Sequence, residues 1–193
     1  MILKKLTYRP DIDGLRALAV LSVILFHINP QYMPSGFLGV DIFFVISGFL
    51  ITSIIYKEMA EGTFTFANFY NRRIKRILPV FFVVLFTGLL IAWYFFLVRD
   101  YYGTANSAIM AVFFLSNIYF SRLGDYFDVA AEQRPFAHIW SLSVEEQFYF
   151  IFPLVLLFIF KNKYLKKHKI GALIVGGGIL LLSSFVNLKK NRY

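Results

Sequence analysis

A few ionisable side chains stand where such groups are costly. Arg16 and His27 fall in an apolar run from about Leu15 to Tyr32. Asp41 falls in the next run, Leu38 to Tyr56, and Glu145 and Glu146 lie near the start of a later one, Trp140 to Phe160. Charged groups inside runs long enough to cross a bilayer mark functional sites by default. Arg16 and His27 are eleven residues apart, close to three helical turns, so they share a face about 16 Å apart. An imidazole titrates near neutrality and can serve as a base, and a carboxylate bonded to one ring nitrogen fixes the tautomer and raises the basicity of the other. His27 and Asp41 both lie one or two turns from the same boundary of their runs, so a tight hairpin is expected to bring them to similar depth. Plainer roles compete: Arg16 as an interfacial anchor, His27 bonded to a neighbouring helix, Asp41 as a favourable charge at a helix N-terminus.

A second constellation is cationic. Arg72, Arg73, Lys75 and Arg76 precede the run from about Ile77 to Val98. Arg72 and Arg76 fall on one helical face, and guanidinium forks suit phosphates; an anchor on the cytoplasmic side fits the same residues. In Ser141-Leu142-Ser143-Val144-Glu145-Glu146-Gln147, Ser143 and Glu146 have the spacing of a capping box. Adjacent carboxylates point to different faces, so a cap explains only one of them. His138, just before this run, reads as interfacial, and His168 in its lysine run as solvated. With no cysteine in the chain there is no disulfide, thiol nucleophile or thiolate metal site, and no metal site is expected.

These groups need elements to hold them, and the composition says which. The 193 residues are 59% hydrophobic, 20% aromatic and only 16% charged, against about 25% charged in soluble domains. The net charge of +9 would suit a nucleic-acid binder if it were spread over a soluble surface. Here the basic residues cluster between apolar runs, which excludes that class and points to an all-α, polytopic transmembrane helix bundle with five or six hydrophobic segments and no separate soluble domain. The fifth segment, Ile170 to Leu188, carries Gly176-Gly177-Gly178, and the shorter stretch Ala105 to Phe120 either spans or re-enters. Lys4, Lys5 and Arg9 place the N-terminus in the cytoplasm, the loop Asn29 to Gly36 outside, and the basic stretch Lys57 to Arg76 inside again. Beyond that point the lysines at 161–169 favour re-entrance of Ala105–Phe120. No cleavage site closes the first run, so no removable signal peptide is expected.

Four motifs, in order, carry a resemblance. They are Arg9-Pro10-Asp11-Ile12-Asp13-Gly14-Leu15-Arg16 leading to His27; Gly36-Phe37-Leu38-Gly39-Val40-Asp41 through Thr52; Phe69-Tyr70-Asn71-Arg72-Arg73-Ile74-Lys75-Arg76-Ile77-Leu78-Pro79; and His138-Ile139-Trp140-Ser141-Leu142-Ser143-Val144-Glu145-Glu146-Gln147-Phe148-Tyr149. Together they closely resemble the acyltransferase 3 family, the OafA-like membrane O-acyltransferases of bacteria. Ile139 replaces a threonine usual in that family. The resemblance implies about ten spanning helices, so residues 1–193 are expected to be the N-terminal part of a longer domain. It implies a multi-pass enzyme of the bacterial inner (cytoplasmic) membrane, surrounded by lipid. Such an enzyme moves an acyl group, often acetyl, from cytoplasmic acyl-CoA to a hydroxyl of a glycan or glycolipid acceptor: lipopolysaccharide O-antigen, peptidoglycan or exopolysaccharide. Acyl-CoA (acetyl-CoA) is then a donor substrate, with no tightly bound cofactor and no nucleic-acid partner.

Acyl transfer needs a base for the hydroxyl, a site for an anionic donor and stabilisation of a developing oxyanion. His27 is the expected base with Asp41 as its partner. Arg16, Glu145 and Glu146 are further catalytic candidates, and Arg16, Arg72, Arg73 and Arg76 the donor-binding ones. No serine stands in a nucleophile motif, so direct transfer is the simpler course. From the residues alone, a transporter or flippase-like component using a His–Asp proton relay fits nearly as well, and a scaffold for a glycan synthase is a third reading. The resemblance favours the enzyme.

Overall fold

A computed structural model describes residues 9–122 and 134–161, with helices throughout and no strand among them. In chain order they are α1 (Pro10–Ile28), α2 (Leu38–Ala60), α3 (Phe66–Phe95), α4 (Val98–Val112), α5 (Ser116–Arg122) and α6 (Ile139–Lys161). Three of them, α2, α3 and Ile139–Phe158 of α6, are long and apolar enough to cross a membrane. The first apolar run is shorter as a helix than as a sequence. Asn29-Pro30 ends α1, because the residue before proline is driven out of the helical region. Asp11, Asp13 and Arg16 occupy its first half, and Ala17–Ile28 covers only about 18 Å. The expected fifth segment, His168 and the lysines beyond Lys161 lie outside the described residues.

The described residues fall into two compact units, 9–63 with 155–161, and 64–122 with 134–154. In the first, α1 and α2 form an antiparallel hairpin. The connection folds back along α1 through successive turns, with Tyr32 N–H donating to Asn29 O, Gly36 N–H to Met33 O and Gly39 N–H to Gly36 O. Two glycines permit the approach. A Cβ on Gly36 would stand 2.3 Å from Ser22 O, and one on Gly39 would stand 2.3 Å from Ala19 O and 2.4 Å from Ser22 Oγ. The helices are therefore staggered: the start of α2 is level with the middle of α1, not with its end.

In the second unit α3 begins at Phe66, about three turns before the apolar run expected from Ile77. Thr65 caps it, its Oγ1 accepting from Asn68 N–H, and the basic cluster is thereby helical. Leu85, Phe81, Ala108, Ala111, Phe136 and Ile139 form the core, and Phe136 lies against Gly88. The opposite face of α3 shows Val80, Val83, Phe86 and Trp93, each about two-thirds exposed. An apolar face of that length is stable against lipid and a liability in water. The stretch Ala105–Phe120 is not one helix. It breaks at Phe113–Leu115, where Phe114 has φ of 53°, and Gln147 secures the corner by donating from Nε2 to Phe114 O at 2.7 Å and to Asn117 Oδ1 at 3.1 Å. The capping box is also corrected. α6 starts at Ile139, so Ser143 lies in its second turn with its side chain fully buried, and it caps nothing.

Candidate active site

In the first unit the geometry separates groups that the sequence had paired. Gly39 opposes Ala19 and Ser22, and the Arg16 guanidinium lies 5.4 Å from the centre of the Phe43 ring. Asp41, between Gly39 and Phe43, is thus level with α1 between Arg16 and Ala19. His27 lies two turns and more beyond Ala19, roughly 12 Å further along the axis. No His27–Asp41 hydrogen bond forms. The His27 ring instead places Nδ1 2.8 Å from Val23 O, one turn back on its own helix. A carbonyl only accepts, so Nδ1 carries a proton, and the neutral ring keeps its lone pair on Nε2. The ring is exposed, with its neighbour Phe26 edge-on at 5.7 Å.

Arg16 is half-buried, over Phe43 and 3.7 Å from Asp13. Measured along α2, Phe43 is fourteen residues, roughly 21 Å, from Lys57. Arg16 is therefore not at the level of the basic end of α2, contrary to a simple edge anchor. Asp41 is exposed in the first turn of α2, where its charge complements the helix N-terminus.

In the second unit α6 runs antiparallel to α3, and Tyr70 Oη donates to Phe150 O at 3.1 Å. The expected face of Arg72 and Arg76 is exposed, whereas Arg73 turns inward. Its guanidinium lies 4.6 Å from the centre of the Tyr149 ring and 5.9 Å from that of Phe69, one turn earlier on α3. Among the described residues no side chain or carbonyl accepts a hydrogen bond from Arg73, so its planar fork is held by rings with its donors unspent.

The two carboxylates differ. Glu145 accepts a hydrogen bond from Tyr149 Oη, one turn on. Glu146 Oε1 is buried and, like Ser143 Oγ and Ser116 Oγ, has no hydrogen-bond partner among the described residues. Ser143, Glu146 and Gln147 lie on one ridge of α6 by their three- and four-residue spacing. Gln147 is engaged with the α4–α5 corner, and Asn117 Nδ2 donates back to its Oε1. Sequence reasoning passed over Tyr149 and Gln147. The spacing of four from Glu145 to Tyr149 was the available signal for the first; nothing local announced the partner of the second. His138 precedes α6 and is exposed, its carbonyl accepting from Ser141 Oγ.

The sequence matches the family described as "Acyltransferase domain" over residues 9–192. It is 41% identical over 184 residues to a Staphylococcus aureus (strain MSSA476) protein named "Putative O-acetyltransferase SAS0844", an alignment covering 93% of this chain and 30% of that protein. It is 37% identical over 192 residues to O-acetyltransferase OatA of S. aureus (strain NCTC 8325 / PS 47), covering 96% of this chain and 31% of that protein. The chain thus spans about a third of the length of the curated relatives it matches. No solved structure matches it.

Proposed function

This chain belongs to the acyltransferase domain family, and on that premise we propose that it forms part of a membrane O-acyltransferase. The enzyme would move an acetyl group from acyl-CoA on the cytoplasmic side to a hydroxyl of a cell-envelope glycan. Acetyl is favoured because the relatives are named O-acetyltransferases. The family, the apolar helices and the charged groups set within or beside them support this reading. We place the enzyme in the bacterial cytoplasmic membrane with its N-terminus inside, from the basic residues flanking α2.

The observation that carries the chemistry is the state of His27. Its Nδ1–H is spent on Val23 O, so the neutral ring presents Nε2 as its basic nitrogen at an exposed position. In the proposed step Nε2 takes the acceptor hydroxyl's proton as its oxygen attacks the thioester carbonyl. The tetrahedral adduct then collapses, the C–S bond breaks and the thiolate of CoA leaves, taking up the proton that the imidazolium returns. Val23 O does for the tautomer what Asp41 was expected to do. Arg73, with its open fork, is the foremost candidate for an anionic group of the donor, and Arg72 and Arg76 supply further positive charge on the same helix. Glu146, half-buried with its Oε1 unpartnered among the described residues, is the carboxylate of the pair available for proton exchange; Glu145 is engaged by Tyr149. The transport reading rested on a His27–Asp41 relay, and the axial offset of the two residues removes that support.

The test is transfer of labelled acetyl from acetyl-CoA by the complete gene product in proteoliposomes. His27→Ala should lower the rate by about a hundredfold or more while the protein still inserts. Asp41→Asn should lower it far less, and the two losses should be additive, since the residues do not form one unit. A fully active His27→Ala enzyme would overturn the base assignment. Strongly non-additive losses would restore Asp41 as its partner.

A further inference from the structure

α3 and α6 meet at two neighbouring points. Tyr70 and Arg73 are one turn apart on α3, and Phe150 and Tyr149 are adjacent on α6. The Tyr70 hydroxyl donates to Phe150 O at 3.1 Å, and the Arg73 guanidinium lies 4.6 Å from the centre of the Tyr149 ring. The Tyr70 ring is itself lodged among rings, stacked on Phe66 at 6.2 Å, edge-on to Phe69 at 5.3 Å and 6.1 Å from Phe150. We propose that Tyr70 is a positioning residue for Arg73: its bond to the α6 backbone sets the register that seats the guanidinium on Tyr149 and leaves its donors for an anionic ligand. This rests on the reading of Arg73 as a donor-binding residue, and it adds what holds that residue in place.

The two contacts differ in what they can fix. A cation holds to a ring face anywhere within about 6 Å of its centre, so the contact of Arg73 with Tyr149 by itself tolerates sliding. A hydrogen bond from hydroxyl to carbonyl weakens steeply with distance and angle. With the Tyr70 ring already wedged, that bond leaves the two helices one register. The α6 backbone also needs a brace at this level. Pro153, fully buried in α6, has no N–H to offer the carbonyl of Tyr149 one turn back. Helices bend most readily at such a proline, and here the missing rung belongs to the residue on which Arg73 rests. Tyr70 ties the very next carbonyl, that of Phe150, to α3. A guanidinium grips an anion through two parallel bonds, so a drift of its plane lowers affinity.

Two measurements on the complete gene product test this. The first is CoA binding by the purified protein. Tyr70→Phe keeps the ring and removes only the hydroxyl, and it should weaken binding about threefold to tenfold, the range for one hydrogen bond. Added to Arg73→Gln, the same change should cost nothing further, because its effect passes through Arg73. A general loosening of the helices would instead weaken both backgrounds alike. The second is the Arg73 Nε–H signal in nuclear magnetic resonance, which needs no ligand. The facing ring should shift it in the wild type, and Tyr70→Phe should move it back towards the position of a free arginine. Wild-type affinity in Tyr70→Phe, or an equal loss in the Arg73→Gln background, overturns the proposal. So does an Arg73 signal that Tyr70→Phe leaves unmoved. If the wild type does not bind CoA, or Arg73→Gln binds it equally well, the donor reading fails, and the signal alone decides whether Tyr70 positions Arg73. Should Tyr70→Phe fail to insert, a wild-type Arg73 signal without a ring shift overturns the proposal in its place.

Discussion

At the residue scale, identity announces a capability and the nearest partner decides its use. His27 carries a base in any setting; the carbonyl of Val23, not a carboxylate, fixes which nitrogen is free. Glu145 and Glu146 are chemically identical neighbours, and a tyrosine one turn away engages one of them. The same logic governs the N-terminal motif. Arg9 donates to both oxygens of Asp11, at 2.9 and 2.6 Å, outside the apolar part of α1. That hydrogen bond is the chief cause holding the Asp11 carboxyl down at about 2, below the ordinary value of about 3.9. The folded value lies below the unfolded one, so the pair's contribution is complete above about pH 4 and is lost as pH falls through about 2. Both residues are fully exposed, so the effect on stability is small. A carbon-13 titration of Asp11 should give a midpoint near 2 in the wild type and an ordinary carboxylate midpoint in Arg9→Gln. An ordinary midpoint in the wild type would refute the pair.

At the element scale, two glycines set the hairpin. Gly39 packs on the backbone of Ala19 at a distance no Cβ tolerates, and backbone cannot swing aside as a side chain can. Gly39→Ala should therefore destabilise the hairpin by about 1–3 kcal/mol. Gly14, on α1 with nothing within 4 Å of an added Cβ, is the control. Gly14→Ala should be neutral or stabilising by up to about 1 kcal/mol, from the lost freedom of glycine in the unfolded chain. Unfolding of each variant in detergent against the wild type measures both. Equal effects at the two sites would mean that the hairpin register is wrong. The α4–α5 corner follows a different rule. Nothing in Phe113-Phe114-Leu115 is a turn residue, and the left-handed backbone at Phe114 is held from outside by Gln147.

At the scale of the whole molecule, the balance of apolar and basic stretches sets the relation to the membrane. The exposed faces of α2 and α3 are apolar, and the last turn of α2, with Lys57, and the first turns of α3, with Arg72, Arg73, Lys75 and Arg76, hold the basic residues. With the basic side inside, a tag in the loop at Gln31–Ser35 should be labelled only from outside the cell, and one near Thr63 only from the cytoplasm. An impermeant thiol reagent on single-cysteine variants reads this directly, since the chain has no cysteine of its own. Labelling reversed at both positions would invert the orientation and the proposed direction of transfer.

Fold class and family were legible in the sequence. Apolar runs with few charges admit helices in a bilayer and little else, because backbone groups must be satisfied within the element. Four ordered motifs pointed to the family. The periodicity of one helix also gave faces correctly: Arg72 and Arg76 share theirs, with Arg73 on another. Three things were decided only in the tertiary structure. The depth of Asp41 against His27 depended on the path of the connection, whose turns fold back along α1 and offset the helices by two turns. The inward arginine depended on which face of α3 met α6. The division of labour between Glu145 and Glu146 depended on Tyr149, which engages one and leaves the other with a buried oxygen that no described residue bonds. Sequence period fixes angles about a helix axis, whereas register between helices comes from loop hydrogen bonds and close backbone contact at glycines, and no single segment encodes it.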